Sequence, residues 1–209
     1  IRQKFVSSIE ELSAEADKLV DDNFNSFFAL AKFASADQGR YATNAVALKS
    51  FFLDIDCGED KPYADIDSGL TALKSFCKAT HLPKPTIIKS GRGAHVYWVL
   101  DEEIPRADWK PYAEQLKKLC VDHDFKADPA VTTDAARILR VPSTMHLKDI
   151  LNPIAVEVLM VAPVVPVDSI KTLLAPAEDV LKALEKSQFR RPMDAITLAL
   201  MGSSESRFR

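Results

Sequence analysis

The order of patterns along the chain predicts an α+β fold, with a mixed strand-and-helix core between helical ends. Three observations carry it. Helical periodicity opens the chain and returns from Val167 onward. Between them, short apolar runs of strand-forming residues are separated by single helices without the regular alternation of a doubly wound sheet. One pair of these strands is joined by the tight turn Ser90-Gly91-Arg92-Gly93, the signature of an antiparallel hairpin. The expected organisation is an N-terminal helical segment over 1–45, a core over 46–165 and a C-terminal helical segment over 166–209.

Composition allows such a core. Of the 209 residues, 47% are hydrophobic and 27% charged, an ordinary balance for a globular chain. Basic residues number 27 and acidic residues 30, leaving a net charge of −3, so any nucleic-acid contact must come from a local basic groove. Cys57, Cys77 and Cys120 are far apart and form no C-x-x-C pair, which encodes neither a disulfide framework nor a cysteine-based zinc site. A reducing, cytoplasmic setting is expected. No apolar stretch reaches the roughly 20 residues of a membrane helix, and the start is polar, unlike a signal-peptide core. Beginning at Ile1 and stopping at Ser206-Arg207-Phe208-Arg209, the chain reads as an excerpt from something longer.

Ser8 with Glu11 three residues later is a capping box, and Ile9, Leu12, Ala16, Leu19 and Val20 repeat with helical spacing. A second helix is expected over the apolar stretch Phe24 to Phe33. Residues 49–56, Lys-Ser-Phe-Phe-Leu-Asp-Ile-Asp, read as a buried strand with a charged tip. Leu70 to Thr80 is helical, Pro83 and Pro85 turn the chain into a strand at Thr86 to Lys89, and Ala94 to Leu100 is its hairpin partner. Pro105 starts a helix that runs to about Val121. Asp128 onward is irregular or strand-like, with strands at Ile138 to Val141 and Val156 to Val161. Helices follow at Asp168 to Leu174, Pro176 to Lys186 and Pro192 to Met201. Phe51, Phe52, Tyr97 and Trp98 sit in strands, where core packing is favoured over base stacking.

The residues that carry chemistry lie in three places. Asp54 and Asp56 are i and i+2 on a strand, so both carboxylates project from one face while Ile55 enters the core. Two acids on one face repel, and oxygen-only ligands suit Mg²⁺ or Mn²⁺ better than zinc. A solvated strand end is the plain alternative. In Ser90-Gly91-Arg92-Gly93-Ala94-His95, glycine backbone lets an anion approach, and Ser90, Arg92 and His95 offer a hydroxyl, a guanidinium and an imidazole to phosphate oxygens. It is no P-loop, because G-x-x-x-x-G-K-[ST] is absent. Third, Asp128 is followed by Arg137, Arg140, His146 and Lys148, an acid and then cations. A turn cap and a solvated basic face would also account for these.

In this order the motifs resemble the archaeo-eukaryotic primase superfamily, the primase-polymerases of archaea, eukaryotes, plasmids and phages. Leu53-Asp54-Ile55-Asp56 is similar to its first motif and Ser90 to His95 to its second. Asp128-Pro129-Ala130-Val131-Thr132 with the later Arg140-Val141-Pro142-Ser143-Thr144 resembles its third. The likeness covers about 49 to 148. It implies an RRM-like antiparallel or mixed sheet, and transfer of a nucleotidyl group from a dNTP or NTP to a 3′-hydroxyl on a single-stranded DNA template with a primer. Asp54, Asp56 and Asp128 would bind two divalent ions, Mg²⁺ or Mn²⁺. Ser90, Arg92, His95, Arg140 and His146 would hold the nucleotide. Tyr63 lies where some relatives place a tyrosine near the incoming sugar, and a loop tyrosine packed on the sheet edge is the competing reading. Many relatives carry a zinc module, for which no Cys/His cluster is present here. A helicase domain often follows in phage and plasmid relatives. The runs Lys186 to Arg191 and Arg207 to Arg209 mix basic and aromatic residues as a strand-binding surface or an ordinary linker would. The rival functions are a metal-dependent nuclease or replication initiator, and a non-catalytic nucleotide- or DNA-binding module of a replisome.

Overall fold

The computed structural model describes residues 3–175. The expected helices at Pro176 to Lys186 and Pro192 to Met201, and the two basic runs, lie outside these residues. Helix α1 (Ile9–Asp21) opens the fold, with Ser8 Oγ accepting the Glu11 N–H. The Glu11 carboxylate returns to Ser7 and not to Ser8, so only half of the expected capping box forms.

Strand β1 (Phe27–Ala29) and strand β2 (Ala31–Phe33) replace the expected helix at Phe24 to Phe33. The reason is tertiary. Phe27 to Ala29 pair antiparallel with strand β6 (Ile138–Arg140), and Ala31 to Phe33 with strand β3 (Ala45–Ile55). Short apolar runs cannot be separated into helix and strand by periodicity alone, and here remote partners decide.

The central sheet is antiparallel throughout, in the order β2-β3-β5-β4-β9. Strand β4 (Thr86–Lys89) and strand β5 (Ala94–Pro105) form the expected hairpin, and strand β9 (Glu157–Met160) is an edge. Phe51 to Leu53 and Ile55 are fully buried, a continuous apolar run that requires cover on both faces. Helix α2 (Ile66–Thr80) covers one: a Cβ on Gly69 would lie 3.1 Å from the Ile55 side chain. Helix α3 (Arg106–Asp122) places Trp109 against both Phe51 and Phe52, and the indole N–H donates to the Ser50 carbonyl at 2.9 Å. On the face that carries Asp54 and His95, the β1–β6 ribbon rests Phe28 near Tyr97. Phe51, Phe52, Tyr97 and Trp98 are all core residues.

Three short elements complete the described chain: helix α4 (Pro129–Thr132), the pair β7 (Met145–His146) with β8 (Ile154–Ala155), and helix α5 (Val167–Leu173). The stretch after Asp128, expected as irregular or strand-like, is thus a helical turn, capped by Asp128 with Pro129 at its first position. Among the described residues no helix is long and apolar enough to cross a membrane.

Candidate functional site

Asp54, next to last in β3, stands directly opposite His95 on β5. Ile55 is fully buried and Asp56 exposed, so the chain leaves the core at this point. The third acid arrives from a distant segment: the Asp128 N–H donates to the Asp54 carbonyl at 2.9 Å. One Asp128 carboxylate oxygen caps α4 by accepting from the Ala130 N–H at 2.9 Å.

The Asp54 side chain is only 19% exposed and accepts no hydrogen bond among the described residues. Burial raises its pKa to about 6, with the Asp56 charge pushing the same way; Arg137 pulls it down, Asp128 pushes it up and Arg140 pulls it down. A buried carboxyl pressed by two like charges is only partly offset by Arg137 and Arg140, and a hard divalent cation would add a directly bound counter-charge to an all-oxygen donor set. The donor chemistry therefore fits Mg²⁺ or Mn²⁺. As the side chains stand, no three His, Cys, Asp or Glu groups among the described residues converge on one point, and Asp56 is turned to Lys61, with Nζ 3.0 Å from its Oδ2. Coordination would require these side chains to rotate, while the backbone tie already sets Asp128 beside Asp54.

His95 is 2% exposed, and its Nε2 lies 4.0 Å from Asp54 Oδ1. That distance alone would allow an ion pair. Burial and the charges of Arg140 and Arg137 hold the His95 pKa down to about 3, however, so a neutral imidazole faces the acid at neutral pH. Its Nδ1 is buried without a hydrogen-bond partner.

The second motif is the β4–β5 turn. Ser90 N–H donates to the Gly93 carbonyl at 2.9 Å, Gly91 has φ +113°, and Arg92 is exposed at the tip. Against this turn lies His146 of β7, buried, with neither ring nitrogen hydrogen-bonded. Burial lowers its pKa, with Arg140, Arg92 and Lys148 adding to the effect. Arg140 stacks over the Phe27 ring at 5.1 Å and keeps its Nε buried and unpartnered, as Arg137 does. Unsatisfied buried polar atoms are few in a native fold. Here those of His95, Arg137 and Arg140 sit on groups close enough for their charges to act on Asp54 or on one another, and His146 lies within reach of the charges of Arg140 and Arg92.

Tyr63 is engaged elsewhere. Its hydroxyl accepts the Lys126 N–H at 2.9 Å and its ring packs near Phe125. Lys61, which pairs with Asp56, escaped the reading of the sequence. Its only signal there is a cation five residues after the acidic pair, and the loop that returns it follows no regular period.

Protein-family models and the curated proteins yield no match to the chain. Among solved structures, the chain is similar to the AEP domain of the primase-polymerase (PrimPol) of cyanophage S-2L. The TM-score is 0.55 and the identity 15%, over 77% of this chain and 76% of that one. The fold is AEP-like. The three motif segments of the sequence lie on β3, on the β4–β5 turn, and on α4 together with the end of β6 and the turn after it.

Proposed function

We propose that the chain is a nucleotidyltransferase of the primase-polymerase kind, extending a primer on single-stranded DNA with dNTPs or NTPs and acting in DNA replication of a phage or plasmid. One observation supports this above the rest. On an AEP-like fold, Asp54 and Asp56 lie at the end of β3, the Asp128 backbone is hydrogen-bonded to Asp54, and the charges of Arg137 and Arg140 act on the Asp54 carboxyl.

In this reading Asp54, Asp56 and Asp128 hold two divalent ions, which when bound lower the pKa of the attacking hydroxyl and offset charge on the leaving pyrophosphate. The protein's own part is preorganisation. Gly91 lets backbone approach the triphosphate, and Ser90, Arg92, Arg140 and His146 supply donors to its oxygens. His95, neutral and beside Asp54, offers a hydrogen bond from its one ring N–H without adding a competing positive charge. Ser90, His95 and His146 are already buried, so little reorganisation is required of them as charge develops on the phosphates. A helicase domain in the full-length protein would fit the same role.

The test is extension of a labelled primer on a single-stranded template with dNTPs or NTPs and Mg²⁺ or Mn²⁺, beside Asp54→Ala/Asp56→Ala and a lane without primer. Metal-dependent extension that is lost in the variant is expected, and product without primer adds priming to polymerisation. Nucleotide-independent cleavage of DNA would replace the reading with a nuclease. Metal and nucleotide binding without turnover would replace it with a binding module.

A further inference from the structure

The Asp56–Lys61 pair joins a proposed metal-binding acid to an ammonium that no motif includes. Lys61 Nζ lies 3.0 Å from Asp56 Oδ2, and both side chains are about half exposed. The loop between them is built to hold that position. Gly58, at φ +122°, donates its N–H to the Tyr63 carbonyl at 2.9 Å, Lys61 N–H donates to the Gly58 carbonyl at 3.1 Å, and Cys57 bridges Tyr63. The Tyr63 hydroxyl then ties the loop to Lys126, two residues before Asp128. The loop that carries Lys61 is thus tied to both acidic segments, while the Lys61 side chain is about half exposed.

An exposed ion pair of this kind is weak and easily exchanged. A divalent ion competes for the same carboxylate with a stronger, directly coordinated bond. Once Asp56 is taken, the ammonium stands among acids already committed to cations, and the remaining strong acceptors are phosphate oxygens. Resting on the polymerase reading, we propose that Lys61 is an exchanging counter-ion: it caps Asp56 in the metal-free enzyme and moves to the triphosphate of the incoming nucleotide when metal and nucleotide bind. The same side chain thus opposes metal binding alone and favours nucleotide binding.

These two effects have opposite signs, which a merely structural lysine would not show. The experiment compares wild type, Lys61→Met and Lys61→Arg in Mn²⁺ titrations without nucleotide, and in nucleotide KM and kcat with Mn²⁺ saturating. Lys61→Met is expected to bind Mn²⁺ roughly two- to fivefold more tightly, the scale of one exposed ion pair. Its nucleotide KM should rise by about three- to tenfold, more than kcat falls, through loss of one charge-assisted contact. Lys61→Arg should restore most of the KM. Unchanged or weaker Mn²⁺ binding in Lys61→Met, or an unchanged KM, overturns the proposal while the polymerase reading stands. Mn²⁺ binding in wild type that survives Asp54→Ala/Asp56→Ala overturns the reading itself, and this proposal with it.

Discussion

Gly91 in the β4–β5 turn packs directly on the His146 imidazole: a Cβ built on it would come within 2.9 Å of the ring Cγ and 3.0 Å of its Cβ. The contact joins the second motif segment to the strand that follows the third. Gly91 also has φ +113°, where an L side chain is strained whatever the space. Gly91→Ala is therefore expected to destabilise the fold by about 1–3 kcal/mol, and to raise nucleotide KM by displacing the turn or the imidazole. Urea unfolding with parallel KM measurement checks this; alanine accepted without change in either would show that the turn and the ring are not coupled.

Trp109 is the largest single contributor from α3 to the core. It is fully buried, lies near-parallel to the rings of Phe51 and Phe52 at 5.9 and 5.6 Å, and satisfies the Ser50 carbonyl through its indole N–H. Trp109→Ala leaves both a cavity and an unpaired acceptor, for an expected loss of about 3–5 kcal/mol. Trp109→Phe keeps part of the packing and loses the hydrogen bond, so its loss should be clearly the smaller of the two. Equal losses in denaturant titrations would mean that the hydrogen bond, not the rings, dominates.

What could be read in the sequence was local. A strand carrying Asp54 and a hairpin turning at Gly91 follow from a run of strand-forming residues and glycine chemistry; both formed, the strand over Ala45–Ile55, which leaves Asp56 just past its end. Phe24 to Phe33 could not be read, because its strand character comes from Arg140 and Leu48, partners remote in sequence whose pairing leaves no local trace. The approach of Asp128 to Asp54 is likewise a single backbone hydrogen bond between segments far apart in the chain. In the sequence Asp128 stands out as a third acid by the cations that follow it, and the family resemblance then joins it to Asp54 and Asp56. Lys61 was invisible for a related reason: a positive-φ glycine and one backbone hydrogen bond fold it back onto Asp56.

The two readings of Tyr63 separate cleanly in one variant. Its hydroxyl accepts the Lys126 N–H and its ring lies 6.2 Å from that of Phe125, which stacks on Phe76 at 4.7 Å. Tyr63→Phe removes only the acceptor. The expected result is a loss of about 1 kcal/mol in stability, with the ratio of dNTP to NTP incorporation unchanged. A shift in that ratio, measured by primer extension with each nucleotide class, would place the hydroxyl at the sugar instead.

Asp54 costs the folded state stability at neutral pH. Its folded pKa, about 6, is above the ordinary aspartate value of 3.8, so between these pH values the native state holds a proton that the unfolded chain has released. The stability this carboxyl contributes is present below about pH 4 and is lost as pH rises towards 6. At pH 7, without metal, the charged group costs on the order of 3 kcal/mol. His95 acts in the opposite direction: with its pKa held at about 3, it makes the fold less stable as pH falls below 6.5. The difference between wild type and Asp54→Asn isolates the aspartate. In EDTA, Asp54→Asn should be the more stable protein at pH 7, and the gap should shrink towards pH 4. Millimolar Mg²⁺ or Mn²⁺ should raise the Tm of wild type and leave that of Asp54→Asn nearly unmoved, because binding to the folded state stabilises only the protein that can bind. Thermal melts at pH 4, 5.5 and 7, with and without metal, give both answers. A less stable Asp54→Asn at pH 7 in EDTA would mean that the carboxylate already has its counter-charge within the protein, and that a metal is not what the acidic cluster awaits.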